Sequence, residues 1–295
     1  MANASFGRAL GKVIKPTTIA SEAETARAIV SEDLPPLASL DEFHGDPNFM
    51  MSLARGLLVI QAFSERRLQL SISQLSKRTT LSRASVRRCL HTLSKLGFAG
   101  TDDGRSFYLR PRVLALGHSY LSSMPLATAA QPILEHLSQI LHESCSIALL
   151  DGTEIVYVAR AHVTRIMAID LGVGTRLPAF CTSMGRVLLA NLPPDELETV
   201  LPKIEFKRYT DRTVSSVEKL RQVLMTVRRE GHAIIDQELE LGLRSMAVPV
   251  RNPAGRVVAA INVGAHGQRV SIQDMRTRFL PYLHAAAQEL CLLLN

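Results

Sequence analysis

The sequence predicts an α+β chain in two unlike folded parts, a small basic one followed by a larger mixed one. Three observations carry this. The net charge of +7 is unevenly placed: residues 50–125 hold 12 Lys and Arg against 3 Asp and Glu, residues 1–49 hold 4 against 7, and residues 126–295 hold 18 against 17. Apolar spacings of three and four dominate from Phe49 to about residue 122, whereas beyond 126 helical stretches alternate with short β patterns. Asp-Gly pairs at 103–104 and 151–152 each separate two such β patterns, a strong hairpin signal.

Residues 1–47, rich in Ala, Ser, Thr and Glu and broken by Pro35 and Pro36, read as a poorly ordered arm. The basic part is expected over residues 48–110. Ser52 opens a helix whose apolar stripe is Leu53, Leu57, Ile60 and Phe63. Residues 70–72 form a short extended link, and Ser73 caps a brief helix over 74–78. A turn at 79–81 leads to Ser82, which caps the next helix over 83–96. Its inward positions are Val86, Cys89 or Leu90, Leu93 and Leu96, and Gly97 ends it as a left-handed cap. The β patterns at 98–101 and 106–109 make a wing. Pro111 starts a linker helix, 111–125 in all, with Val113, Leu116 and Tyr120 on one stripe and Pro125 closing it.

Residues 126–295 form the second part. A helix is expected over 128–142, then strands at 145–150, 155–160 and 165–170. A glycine-rich loop, 171–175, leads through Leu177 and Pro178 to a helix near 185–190. Pro193 and Pro194 open another helix, Ser216 caps one that ends at Gly231, and strands follow at 233–236, 245–250 and 257–263. Ser271 with Asp274 resembles a capping box opening the last helix.

Several classes are disfavoured. No apolar run reaches the roughly 18 residues of a membrane span, and the first residues lack the apolar centre of a secretion signal, so a cytoplasmic protein with no membrane partner is expected. Cys89, Cys145, Cys181 and Cys291 lie far apart with no CxxC pair, which speaks for free thiols and against a zinc site. Gly172 and Gly174 are not a full dinucleotide fingerprint. Cys181 has no histidine signalled nearby to act as its base. HExxH, GxSxG and GKS/T sequences do not occur. No catalytic constellation, cofactor or metal site is expected.

The basic part points to double-stranded DNA. A major groove admits one α-helix, with the helix's first residues nearest the base edges. Arginine can grip guanine O6 and N7 together, or phosphate. Ser82, Arg83, Ser85, Arg87, Arg88 and His91 gather on the helix after the turn, and no Asp or Glu occurs from Ser71 through Thr101. His91 suits packing or phosphate better than base reading. Arg105 at the wing tip reaches phosphate or minor groove, or is simply solvated. A single such module seldom binds tightly enough alone, so paired subunits on paired half-sites are expected. The stripe of the linker helix suits a dimer contact or packing on its own chain.

In the second part, the Gly-rich loop and the helix start offer N–H groups and the hydroxyls of Thr182 and Ser183, features that bind carboxylates. Arg176 and Arg186 are either anion holders or solvent-exposed. Asp236 and Glu238 after an apolar strand either orient a ligand hydroxyl or cap a turn.

The segments DPNFMMSLARGLLVIQAF, LSISQLSKRTTLSRASVRRCLHTLSKLGF, YLRPRVLALGHSYLSS, RLPAFCTSMGRVLLA, IDQELELGLRSMAVPV and AAINVGAHGQRVS occur in that order. With them the chain resembles the IclR family of bacterial transcriptional regulators over nearly all of residues 48–295, and within it the regulators of protocatechuate and β-ketoadipate degradation. The resemblance implies a winged helix-turn-helix, a linker helix and a GAF-like effector domain, in homodimers or dimers of dimers. It implies a pocket lined by Ile166, Ile169, Leu177, Ser183, Met184, Asp236, Ser245, Asn262 and Gly264, taking an aromatic or β-keto acid. Ser245 stands where the family can show Cys, and Asn262 and Gly264 where some members show Ser. Regulation of an unrelated pathway, or DNA binding without an effector, are the alternatives.

Overall fold

A computed structural model describes residues 40–63, 68–163 and 171–294. The expected strand at 165–170, with Ile166 and Ile169, lies outside the described residues, as does nearly all of the arm at 1–47.

The basic part consists of helices α1 (Met51–Gln61), α2 (Ile72–Thr79) and α3 (Arg83–Lys95) with a small sheet of β1 (Leu70–Ser71), β2 (Ala99–Thr101) and β3 (Ser106–Leu109), ordered β1-β3-β2. Its core is Val59, Leu70, Leu75, Val86, Leu90, Leu93 and Ala99. Ser82 accepts the Ser85 N–H and so caps α3, Gly97 takes φ +79° and Gly104 φ +68°, all as the local signals required. Four expectations fail here. Met50, not Ser52, precedes α1, and Leu53 and Leu57 face solvent while Val59 is buried. The cap of α2 is Ser71, which closes a capping box with Gln74. Leu96 lies on the helix end and is exposed. Each failure has one cause: several apolar stripes and several serines were available, and tertiary packing chose among them. The extended link at 70–71 is a true strand, pairing Leu70 with Phe107.

A 3-10 turn (Pro111–Val113) leads into α4 (Leu114–Ser122), which buries none of its residues. Pro125 opens the following helix rather than closing the linker, since a first-turn proline lacks only an N–H that would be unpaired anyway.

The larger part is a six-stranded antiparallel sheet ordered β6-β5-β4-β9-β8-β7, with β4 (Ser144–Asp151), β5 (Glu154–Ala161), β6 (Arg176–Pro178), β7 (Ala233–Asp236), β8 (Leu243–Arg251) and β9 (Val257–His266). Residues 176–178, expected as loop, are the edge strand, pairing Ile155 with Leu177. Helices α5 (Pro125–Leu141) and α10 (Leu280–Leu293) cover one face, over Ile147, Met246, Ile261 and Val263. Helices α6 (Ser183–Ala190) and α8 (Val217–Glu230) cover the other. The short α7 (Pro194–Val200) lies between them in sequence, and α9 (Ile272–Asp274) with a π turn (Met275–Phe279) leads into α10. The expected caps hold: Ser216 on α8, Gly231 at φ +73°, and a Ser271–Asp274 capping box. Helix α6 lies close because the floor beneath it is Ala148, Ala247 and Ala260. Glycine is required at its start: a Cβ on Gly185 would lie 2.2 Å from the Ala179 carbonyl oxygen. Among the described residues no helix is long and apolar enough to cross a membrane.

Candidate functional site

Helix α3 sets out its charges by its own pitch. At about 100° per residue, Val86, Leu90 and Leu93 turn inward, and the opposite arc is centred on Ala84, Arg88, His91 and Lys95. Arg87 stands on the flank, and Arg83 nearest the core side. All six are exposed. Ser82 is spent on the cap, and its hydroxyl also bonds that of the half-buried Ser85 at 3.0 Å. Neither serine is therefore as available to DNA as the arginines. The wing tip is different. Asp103 accepts the N–H groups of Ser106 (2.7 Å) and Arg105 (2.8 Å), and these bonds hold its carboxyl below the ordinary aspartate value. Asp102 accepts the Tyr108 hydroxyl at 2.9 Å. Arg105, exposed, thus sits beside two carboxylates that reduce the local positive field.

The second candidate site lies at the N-terminus of α6. On the α6 side of the sheet the register places Arg160, Ser146 and Asn262 in one cross-strand row, and Ser144, Gly264 and Ser245 in the next. The floor thus changes from alanine beneath the helix to polar beyond it. Ser183, Ser146, Asn262 and Ser245 are all buried. The Ser183 Oγ and the Asn262 Oδ1 have no hydrogen-bond partner. Buried polar atoms are nearly always paired, and these two stand on α6 and β9, which pack against each other; a water or ligand partner would satisfy them. A Cβ on Gly264 would meet nothing within 4 Å, so the floor is open there. Leu177 and Met184 belong to the apolar cluster beside it. Ser146 and Arg160 were missed by sequence reasoning. The one available signal was a serine, Ser146, inside the otherwise apolar run of residues 145–150.

Several expectations for this region are corrected. The glycine loop spends its donors internally: the Gly174 N–H bonds the Tyr157 carbonyl at 2.8 Å and the Gly172 N–H bonds the Thr175 hydroxyl at 2.9 Å. Thr182 caps α6 by accepting the Gly185 N–H and donates to the Pro178 carbonyl. Arg176 pairs with Glu154 and Asp151, both at 2.7 Å. Arg186 is neither exposed nor an anion holder; it is buried and committed to Glu238 and the Phe180 carbonyl. Asp236 is bound by Arg212 and by Arg244 at 2.7 Å. Burial opposes its charge, but Arg244, Gln237 and Arg212 outweigh burial and hold its carboxyl below the ordinary value. Each Asp236 oxygen thus already carries an arginine partner. Burial pushes the Cys181 thiol well above its usual range, which disfavours the reactive thiolate. Among the described residues no group of His, Cys, Asp and Glu could hold a metal ion.

A winged helix-turn-helix with an acid-free basic helix, joined to a sheet domain with buried polar side chains beneath a helix start, defines a DNA-binding regulator of two parts. Residues 52–103 match the family model described as the IclR helix-turn-helix domain, and residues 118–292 that described as Bacterial transcriptional regulator IclR C-terminal. The chain is 50% identical over 274 residues to the Pca regulon regulatory protein of Pseudomonas putida, covering 91% of this chain and 94% of that one. It is 36% identical over 248 residues to the p-hydroxybenzoate hydroxylase transcriptional activator of Acinetobacter baylyi, covering 82% and 91%. Its fold is similar to a crystal structure of a regulator from Rhodococcus sp. RHA1 (TM-score 0.75, 47% identity, 83% of this chain and 98% of that one). It is also similar to an IclR homolog from Microbacterium hydrocarbonoxydans complexed with 4-hydroxybenzoate (TM-score 0.72, 25% identity, 82% and 98%). The chain belongs to the IclR family of bacterial transcriptional regulators. It is a regulator and not an enzyme, as the families and relatives it matches are.

Proposed function

We propose that this regulator controls genes for the breakdown of aromatic acids, acting on DNA in the cytoplasm in response to a small carboxylic acid. Residues 48–110 are the DNA-binding unit, 111–125 the linker and 126–295 the effector unit. The exposed arc of α3, with Arg83, Arg87 and Arg88, enters the major groove, and Arg105 lends a weaker contact from the wing. Leu116 and Tyr120, one turn apart, leave an apolar stripe on α4 exposed. A second copy covers it, which pairs two α3 helices on two half-sites.

The observation that carries the effector reading is the pair of orphaned buried atoms, Ser183 Oγ and Asn262 Oδ1. A small hydroxy acid seated between the α6 start and the β4–β9–β8 floor satisfies both, its carboxylate accepting from the Ser183 hydroxyl and its own hydroxyl donating to Asn262 Oδ1, with Ser245 and the open space over Gly264 beside it. The relatives named for the Pca regulon and for p-hydroxybenzoate hydroxylase support the aromatic-acid class. So does the bound 4-hydroxybenzoate of the Microbacterium structure. The ligand acts through its preference for one arrangement of the dimer, so DNA must alter ligand affinity as much as ligand alters DNA affinity.

The test is a thermal-shift screen with protocatechuate, 4-hydroxybenzoate, β-ketoadipate and muconate, followed by calorimetry with and without operator. One acid is expected to raise the melting temperature, because a ligand that binds only the folded state stabilises it. No response to any of them, with a footprint on DNA that ignores all four, overturns the effector assignment.

A further inference from the structure

The first turn of α3 holds a side chain with no charge and no hydrogen bond to make. Ala84 is exposed, and by helical pitch it lies in the middle of the outward arc, one turn before Arg88 and beside Arg83 and Arg87. The hydroxyls of Ser82 and Ser85 are turned to each other at the cap. A bare methyl therefore fills the centre of the surface nearest the base edges, ringed by three guanidinium groups. Helix propensity does not demand it, since Lys, Glu or Gln suit a helix nearly as well. What alanine uniquely allows is close approach of the backbone and apolar contact in the groove. The apolar feature that a major groove offers is the C5-methyl of thymine.

We propose that Ala84 is a base-reading residue that packs its methyl against the C5-methyl of one thymine in each operator half-site. This rests on α3 being the helix that enters the groove. The arginines around it fix the helix against phosphate and purine edges, and Ala84 supplies discrimination that charge does not.

The experiment uses the full-length protein and duplexes that it selects itself from a random pool. Each thymine of the selected duplex is replaced in turn by deoxyuridine, which removes only the methyl, and binding is read by fluorescence anisotropy. One thymine per half-site is expected to lose about fourfold in affinity when replaced, the value of burying one methyl group. Ala84→Gly binds more weakly but loses no further affinity on that replacement. Ala84→Ser, which suits a helix start, keeps the fold testable should the glycine variant unravel, and it too loses the sensitivity. If no thymine responds in the parent protein, or if both variants keep the fourfold loss, the assignment is overturned. A pool that returns no shared sequence overturns it as well. Arg87→Ala and Arg88→Ala separate the levels: if these weaken binding while the methyl test fails, only Ala84 loses its role. If neither weakens it, the placement of α3 in the groove falls.

Discussion

Arg186 and Glu238, 52 residues apart in sequence, close a two-point ion pair inside the effector domain. Arg186 Nη1 lies 2.8 Å from one carboxylate oxygen and Nη2 2.6 Å from the other, while Nε donates to the Phe180 carbonyl. The same carboxylate accepts the Val214 N–H at 3.1 Å, and the Glu238 carbonyl accepts the hydroxyls of Thr210 and Thr213. Glu238 thereby ties the pocket helix to two loops. Glu238→Ala leaves a buried guanidinium without its counter-charge and is expected to cost about 3–5 kcal/mol, read as a lower denaturation midpoint in urea at unchanged slope. Glu238→Gln, which keeps one acceptor, is expected to fall between.

Arg88 and Arg105 separate groove reading from backbone attraction. Arg88→Ala is expected to weaken operator binding by about 1–3 kcal/mol if it grips a base, with relaxed sequence preference. Arg105→Ala, lying beside Asp102 and Asp103, is expected to have a smaller and sequence-independent effect. Titrations at several salt concentrations check both: a lost phosphate contact lowers the salt slope by about one, and a lost base contact leaves it unchanged. Equal effects on all sequences for both variants would remove Arg88 from base reading.

Asn262 and Ser183 predict opposite movements of two observables. A buried polar atom without a partner costs about 1–3 kcal/mol, so Asn262→Leu, close in volume, is expected not to lower the melting temperature of the ligand-free protein. The rise produced by the effector is expected to disappear in it and to shrink in Ser183→Ala. A ligand-free protein destabilised by both changes, with an intact effector response, would mean that these atoms serve packing instead.

Asp236 gives a pH dependence. Its folded carboxyl titrates below the unfolded value of 3.8. The folded state therefore binds fewer protons than the unfolded chain as pH falls below that value. The stabilisation is complete above it and is lost as pH drops through the lower folded pKa. Melting curves from pH 6 downward are expected to show a steeper acid decline in the parent protein than in Asp236→Asn. Parallel curves would show that Arg244 and Arg212 do not favour the ionised form.

What could be read from the sequence was what neighbours in the chain decide. Ser82, Gly97, Gly104, Ser216 and the Ser271–Asp274 box all act within a few residues, and each performs its expected local role. The basic helix was visible because its arginines repeat at the pitch that places them together. The partner of Arg186 was not visible, because Glu238 is brought to it by the sheet and not by spacing. The α1 stripe misled for a related reason. Leu53 and Leu57 are as apolar as a core pair, and sequence does not say whether the cover is the same chain or another. Ser146 escaped because its meaning comes from Asn262 beside it on β9.

The two glycines of the pocket region have opposite surroundings, and this sets where new ligand preferences can arise. Position 185 tolerates no added atom against Ala179, whereas position 264 has vacant space above it. Drift toward a bulkier or smaller inducer is therefore channelled into the strands, where one substitution resizes the cavity, while the helical wall stays as it is. A selection for altered inducer response should enrich changes at 262 and 264 and leave 185 untouched.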